Sequence, residues 1–205
     1  KEITMIKNII FDVGNVLMDY DSEAYMIRLG FDADTRAAIQ AAMFGNPLWN
    51  ETDRGVMTDE ELEEGFVKNA PSKYEDAVRL AYRRASETIS LLPYAVDWVK
   101  SLKERGYHLY VLSNYSRKIY EETKDQMKFL PYIDYAVFSY QCRLIKPDPA
   151  IYRHLLNTCG LDPRETVFID DRPENVAAAE GVGIHGIVFS SKEQAQNDLE
   201  RLLKK

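Results

Sequence analysis

Asp12 ends an apolar run, Ile9-Ile10-Phe11, and is followed at once by Val13-Gly14-Asn15. A buried strand that runs into an acid and then a glycine fills a core poorly. It does present a reactive side chain at the carboxyl end of a sheet, where open α/β folds keep their sites. Three more hydrophobic runs end in chemistry. Leu109-Tyr110-Val111-Leu112 leads to Ser113 and Asn114; Leu144-Ile145 leads to Lys146, just before a helix whose start Pro149 fixes; Val167-Phe168-Ile169 leads to Asp170-Asp171, with Arg172, Pro173 and Asn175 behind them. In a parallel sheet the strand carboxyl ends face one way. Asp12, Ser113, Asp170 and Asp171 therefore converge if their strands are neighbours, and Lys146 can reach in from a nearby connection. Three carboxylates crowded at one edge repel one another. A hard divalent cation removes that penalty, and an all-oxygen donor set favours magnesium, Gly14 contributing a backbone carbonyl. Ser113 and Lys146 suit the non-bridging oxygens of a phosphoryl group.

Holding these groups together requires a sheet. Strands are expected at 6–13, 107–112, 133–138, 166–169 and 183–188. Helices alternate with them at 94–105, 117–127, 149–158, 173–180 and 192–203. Such alternation predicts an α/β fold: a Rossmann-like parallel sheet with helices on both faces. Residues 21–90 differ. They are rich in Ala, Glu, Arg and Tyr and predict helices at 22–29, 33–43, 58–68 and 73–90, with Asp32 or Asp34 opening the second and Thr58 with Glu61 forming a capping box. This block predicts an all-helical cap subdomain at 20–90, inserted into a core made of 1–19 and 91–205.

With 205 residues, 45% hydrophobic and 29% charged, the chain has the composition of a globular protein. Its net charge of -7 offers no global field for nucleic acid or an anionic membrane. Cys142 and Cys159 lack metal-ligand spacing and read as free thiols of a reducing cytoplasm. No apolar run is long enough to span a membrane, and no secretory leader is evident ahead of Val16. Met5 is a candidate native start, with the residues before it an upstream extension.

The quoted stretches resemble, in order, the four motifs of the haloacid dehalogenase-like hydrolase superfamily. They are Phe11-Asp12-Val13-Gly14-Asn15-Val16-Leu17, Leu112-Ser113-Asn114, Lys146-Pro147-Asp148-Pro149 and Phe168-Ile169-Asp170-Asp171. The helical block falls where that superfamily carries a type-1 cap. The chain is also similar to a bacterial subgroup, the α-D-glucose-1-phosphate phosphatases. The resemblance implies a magnesium-dependent phosphatase for a small phosphorylated metabolite such as a sugar 1-phosphate, working as a cytoplasmic monomer or weak homodimer. By position, Asp12 would attack phosphorus and form an aspartyl-phosphate that water hydrolyses. Asp12, the Gly14 carbonyl and Asp170 or Asp171 would hold the metal. Ser113 and Lys146 would grip the phosphoryl oxygens, and Asn15 and Asn114 would touch the substrate.

One departure stands out. Most phosphatases of the superfamily carry a second aspartate two residues after the nucleophile, as general acid and then base; this chain has Gly14. Such catalysis is typically worth about 10²–10⁴-fold. Three readings follow: a good leaving group that needs little protonation, a replacement acid from the cap or solvent, or a catalytically weak regulator that binds a phosphometabolite or a partner. A phosphoglucomutase, which needs acid–base help in both directions, is disfavoured. So is a metal-independent 2-haloacid dehalogenase, which has no use for the adjacent Asp170 and Asp171.

The remaining candidates weigh toward packing. Asp19 suits a hinge or a helix cap. Segment 47–55 is expected to be an irregular specificity loop, with Trp49 stacking on a sugar face or anchoring the cap, and Glu51 or Arg54 contacting hydroxyls. Gly55 suits a turn. Tyr20, Tyr25 and Tyr115 fall near the expected cleft. His108 and His185 fall within strands and His154 on a helix, without metal-ligand spacing. Asn175 reads as a helix-surface or motif-supporting residue.

Overall fold

The computed structural model describes residues 5–203, so the extension expected ahead of Met5 lies outside the described residues. Five short parallel strands form the core sheet in the order β5-β4-β1-β6-β7: β1 (Asn8–Phe11), β4 (His108–Ser113), β5 (Tyr135–Phe138), β6 (Thr166–Asp170) and β7 (His185–Val188). β1 is central, with Ile9 beside Leu109 on one flank and Val167 on the other. Its apolar side chains are buried on both faces, as the unbroken hydrophobic run requires.

The alternation of strand side chains divides the core. Ile9, Phe11, Leu109, Val111, Val167 and Ile169 pack on one face with Trp98, Val99 and Leu102 of α6 (Ala95–Glu104) and Leu199 of α11 (Lys192–Leu203). Ile10, Tyr110, Leu112 and Phe168 pack on the other with Ile151, Tyr152 and Leu155 of α9 (Pro149–Cys159) and Ala179 of α10 (Pro173–Gly181). After β1 the chain builds outward first to β4 and β5, then on the opposite side to β6 and β7. The carboxyl end of β1 is thus the switch point where open α/β sheets form a crevice.

The inserted helical subdomain leaves and rejoins the core through an antiparallel ribbon, β2 (Met18–Tyr20) with β3 (Ile89–Leu91), Tyr20 paired to Ile89 and Met18 to Leu91. The sequence pattern places 89–90 in a helix tail. The helix α5 (Glu75–Arg83) stops earlier, and β3 is unreadable in the sequence because a three-residue strand is too short to display its period. Asp19 sits on β2 opposite Ser90, in the ribbon that joins the insert to the core; Asp21 caps α1 (Ser22–Arg28) instead, accepting the Ala24 N–H. Asp32 caps α2 (Ala33–Ile39), which continues as a π-helical turn at Gln40–Phe44, and Thr58 with Glu61 forms the expected capping box on α4 (Asp59–Lys68). Tyr25, Met26, Ile39, Met43, Phe66 and Val78 build a separate hydrophobic centre within this subdomain.

Segment 47–55 is not irregular: it contains the helix α3 (Leu48–Arg54). Asn46 Oδ1 accepts the Leu48 N–H at 3.0 Å, Pro47 supplies a pre-set φ of -53°, and Gly55 ends the helix at φ +67°. A Cβ at Gly55 would lie 2.8 Å from the Tyr140 carbonyl oxygen on α8 (Ser139–Cys142), so glycine serves both the turn and a close approach to the core. α7 (Arg117–Thr123) completes the elements that surround the crevice.

Candidate active site

Asp12 follows the last residue of β1, and its N–H donates to the Ile169 carbonyl at 2.9 Å, extending the ladder by one bond. Ser113 ends β4 and Asp170 ends β6, so three neighbouring strands deliver three functional side chains to one edge. Lys146 is buried between two of them, its ammonium 2.8 Å from Asp12 Oδ1 and 2.6 Å from Asp170 Oδ2. Asn114 fixes the lysine from behind: its Nδ2 donates to the Lys146 carbonyl at 3.0 Å, and its Oδ1 accepts the Lys146 N–H at 2.7 Å. Its side chain acts on the Lys146 backbone.

Asp170 is fully buried and saturated with donors. Besides Lys146 it takes the Asn175 amide on both oxygens at 3.0 Å and the Arg172 N–H at 2.8 Å. Each oxygen already has two donors, which exhausts its lone pairs. Asp171 is half-buried and receives the Asn15 amide at 3.0 Å, leaving acceptor capacity toward the crevice. Asn15 sits at φ +57°, a left-handed geometry that asparagine tolerates, and so aims its amide at Asp171.

Burial pushes the Asp12 carboxyl up to about 6 against the opposing pull of Lys146, with Asp170 adding to the rise. Burial alone would lower Lys146, but Asp12 and Asp170 outweigh it and hold the ammonium above its usual range. One oxygen from each of Asp12, Asp170 and Asp171 lies within 4.8 Å of the others. Of this all-oxygen cluster, Asp12 and Asp171, which line the cavity with Gly14, are the ones left to receive a hard divalent cation, Asp170 lying behind them. The buried Asn175 Oδ1, which has no hydrogen-bond partner, would be satisfied by an ion-bound water.

A cavity of about 430 Å³ opens over these groups. Asp12, Gly14, Asn15, Ser113, Asn114, Lys146, Asp171, Arg172 and Asn175 line its core side; Phe44, Trp49, Asn50 and Asp53 come from the cap, with Tyr20 and Ile89 from the ribbon and Tyr115 from the turn after β4. Trp49 anchors the cap, packing on Phe44 and Phe66 with ring centroids 4.9 and 5.9 Å away, and also lines the cavity. Arg54 is not among the lining residues and pairs with Glu51 at 3.2 Å. Tyr25 is buried within the cap, its hydroxyl donating to the Ala81 carbonyl. His108 and His185 are exposed, not packed in the core. A larger groove, about 840 Å³, separates α4 and α5 from α7, but its wall charges, such as Arg79 with Glu63 and Glu64, are paired with one another.

Sequence reasoning missed Asp53 and Phe44 as cavity residues, while Arg172, named behind Asp170-Asp171, does line it. Asp53 lies inside the segment singled out for specificity, but its direction was illegible until that segment was known to be a helix. Asn175 is more central than expected, five residues past Asp170 and bonded to both of its oxygens.

Among the described residues, no helix is long and apolar enough to cross a membrane. The family model for haloacid dehalogenase-like hydrolases matches residues 6–183. Drimenol cyclase drtB of Aspergillus calidoustus is 23% identical over 97% of this chain, which spans 37% of that relative's length. D-ribitol-5-phosphate phosphatase of Bacteroides thetaiotaomicron is 27% identical, the match covering 87% of this chain and 89% of the relative. A crystal structure of the HAD family enzyme bt-2542 from the same organism, in complex with magnesium and inorganic phosphate, shares the fold. Its TM-score is 0.70 and its identity 24%, over 91% of this chain and 96% of that one. The chain belongs to the haloacid dehalogenase-like hydrolase family.

Proposed function

We propose that this protein is a magnesium-dependent phosphomonoester hydrolase acting on a small phosphorylated metabolite, a sugar phosphate such as a sugar 1-phosphate being the leading class. The observation that carries the reading is the pairing of Asp12 and Lys146 at 2.8 Å inside the cavity, beside a carboxylate cluster of metal-binding proximity. The relative named as a ribitol-phosphate phosphatase and the fold neighbour crystallised with magnesium and phosphate support the same class.

A magnesium ion held by Asp12, the Gly14 carbonyl and Asp171, with Asp170 beside them, would neutralise carboxylate and phosphoryl charge. The chain's own residues do the rest. Lys146 keeps Asp12 ionised and attracts the phosphoryl oxygens, and the Ser113 hydroxyl, on the same cavity wall, donates to another oxygen. An Asp12 oxygen attacks phosphorus, the ester oxygen leaves with its electron pair, and water later cleaves the acyl phosphate. Phe44, Trp49 and Tyr20 present flat apolar faces to the leaving group, and Asn50 offers an amide for its hydroxyls. The helical insert acts as a type-1 cap over residues 20–90 that hinges at the β2–β3 ribbon and sheds bulk water when it closes.

The test is a panel of phosphate esters, including glucose 1-phosphate and glucose 6-phosphate, with magnesium and then with chelator. Metal-dependent release of phosphate that Asp12→Asn abolishes is the expected result. Turnover that survives in Asp12→Asn sinks the nucleophile assignment. Tight phosphate binding without turnover would instead indicate a regulator.

A further inference from the structure

The second aspartate of the superfamily pattern is absent, and the position that would hold it is open: a Cβ at Gly14 meets nothing within 4 Å. Where the leaving oxygen needs a proton, another group on the cavity wall is in position to supply it. Asp12 is the nucleophile, Lys146 is locked between two carboxylates, Arg172 is paired with Glu174 at 2.6 Å, and Asp171 belongs to the acidic cluster. The hydroxyls of Tyr20 and Tyr115 are pushed up to about 12 by burial, too weakly acidic for the task. One titratable group remains on the cavity wall.

We propose that Asp53 is the general acid and base of this hydrolase, an inference that rests on the phosphomonoesterase reading above. Asp53 lines the cavity from the last turn of α3. Its backbone is pinned to the core, since Ser139 Oγ donates to the Asp53 carbonyl at 2.6 Å while accepting the Tyr115 N–H at 2.9 Å. Its carboxyl forms no ion pair among the described residues; the Thr52 hydroxyl, at 3.4 Å, is its hydrogen-bond partner. The charged and titratable groups facing it are Lys146, Asp12 and Arg172 from the core, Tyr20 from the ribbon and Tyr115 from the turn after β4. Burial dominates over all of them and pushes the carboxyl up to about 7, where it both gives and takes a proton near neutrality.

Protons balance over the cycle. As Asp12 bonds to phosphorus, the ester P–O bond breaks, its electron pair passes to the leaving oxygen, and the Asp53 proton follows to give the free alcohol. Asp53, now a carboxylate, takes one proton from the entering water as its oxygen bonds to phosphorus and the Asp12–phosphorus bond breaks back onto Asp12. Inorganic phosphate leaves and Asp53 is again protonated.

The experiment compares wild type, Asp53→Asn and Asp53→Glu, magnesium-loaded and checked for a cooperative melt well above the assay temperature. The substrates are 4-nitrophenyl phosphate, whose leaving group needs little protonation, and the sugar phosphate of the panel that wild type hydrolyses fastest. Asp53→Asn should lose about 10²–10³-fold on the sugar ester. On the aryl ester it should release about one equivalent of nitrophenol in a burst and then stall, with phosphate trapped covalently on Asp12. Its sugar-ester rate should also lose the decline that wild type shows as pH rises past neutrality, and Asp53→Glu should restore part of the rate. Equal losses on both esters without a burst, or wild-type rates on both, overturn the role of Asp53 and leave the hydrolase reading standing. A wild type that turns over neither ester and is never phosphorylated overturns both.

Discussion

Two carboxyls face the same cavity from opposite parts of the chain, and their surroundings differ. Asp12, on the sheet edge, has an ammonium at 2.8 Å and a backbone N–H at 2.7 Å against it. Asp53, on the cap, has one hydroxyl at 3.4 Å. Both are raised by burial, to about 6 and about 7, but only at Asp12 does a direct ion pair oppose the rise. The core thus gathers donors that favour the ionised form of one carboxyl, while the cap offers few to the other, whose neutral form burial favours. Environments that split two acids this way are how a single site assigns nucleophile and proton donor.

The largest effect should come from destroying the compensated side. Asp12→Asn is expected to cost about 10⁴-fold or more in kcat on every ester, since residues acting as one unit fail together. Lys146→Met should be nearly as damaging, and also to stability. It leaves Asp12 and Asp170 facing each other without their shared cation, and removing one member of a buried pair costs about 3–5 kcal/mol. Thermal melting should fall accordingly, and magnesium, which replaces the lost charge, should recover part of the loss. A Lys146→Met protein that melts like wild type without metal contradicts the compensation argument.

That side was also the more legible in sequence. Asp12, Ser113, Lys146 and Asp170 each end a hydrophobic run, and runs that pack as parallel strands must bring their ends to one edge. The cap wall obeys no such rule. Asp53 reaches the cavity because Asn46 and Pro47 start a helix and Gly55 stops it against Tyr140, so that one helical turn decides which side chains face inward. Arg54, one residue on, turns to Glu51 instead. The ribbon strands, three residues each, were hidden for the opposite reason: too little pattern to read. Asn175 was legible as a residue of the last motif, but not its two bonds to Asp170, which depend on how α10 leaves β6.

Asn114→Ala probes the middle of the range. It removes both hydrogen bonds that hold the Lys146 backbone while leaving every charge in place. With each bond worth about 0.5–1.5 kcal/mol, turnover should fall about 5–100-fold, equally for aryl and sugar esters, because the lysine serves the phosphoryl group and not the leaving oxygen. A preferential loss on sugar esters would place Asn114 on the leaving-group side and blur the division between the two carboxyls.

The smallest effect is the most direct measure of that division, because it needs no substrate. In the folded chain Asp53 holds its proton up to about pH 7, whereas once unfolded it releases it near 3.8. The folded state therefore binds more protons between those values, and its stability must fall as pH rises through that window. An asparagine side chain at this position has no proton to lose. In chelator, the melting temperature of Asp53→Asn should match wild type near pH 4 and exceed it increasingly up to pH 7–8, the common contribution of Asp12 largely cancelling. A fully buried carboxyl moved that far would be worth about 4 kcal/mol. Water reaching a half-buried one cuts this to about 1–2 kcal/mol, or about 2–8 °C for a chain of this size. A pH-independent difference would mean that Asp53 is ionised at neutrality like a surface acid, and the asymmetry between sheet edge and cap would then be one of geometry alone.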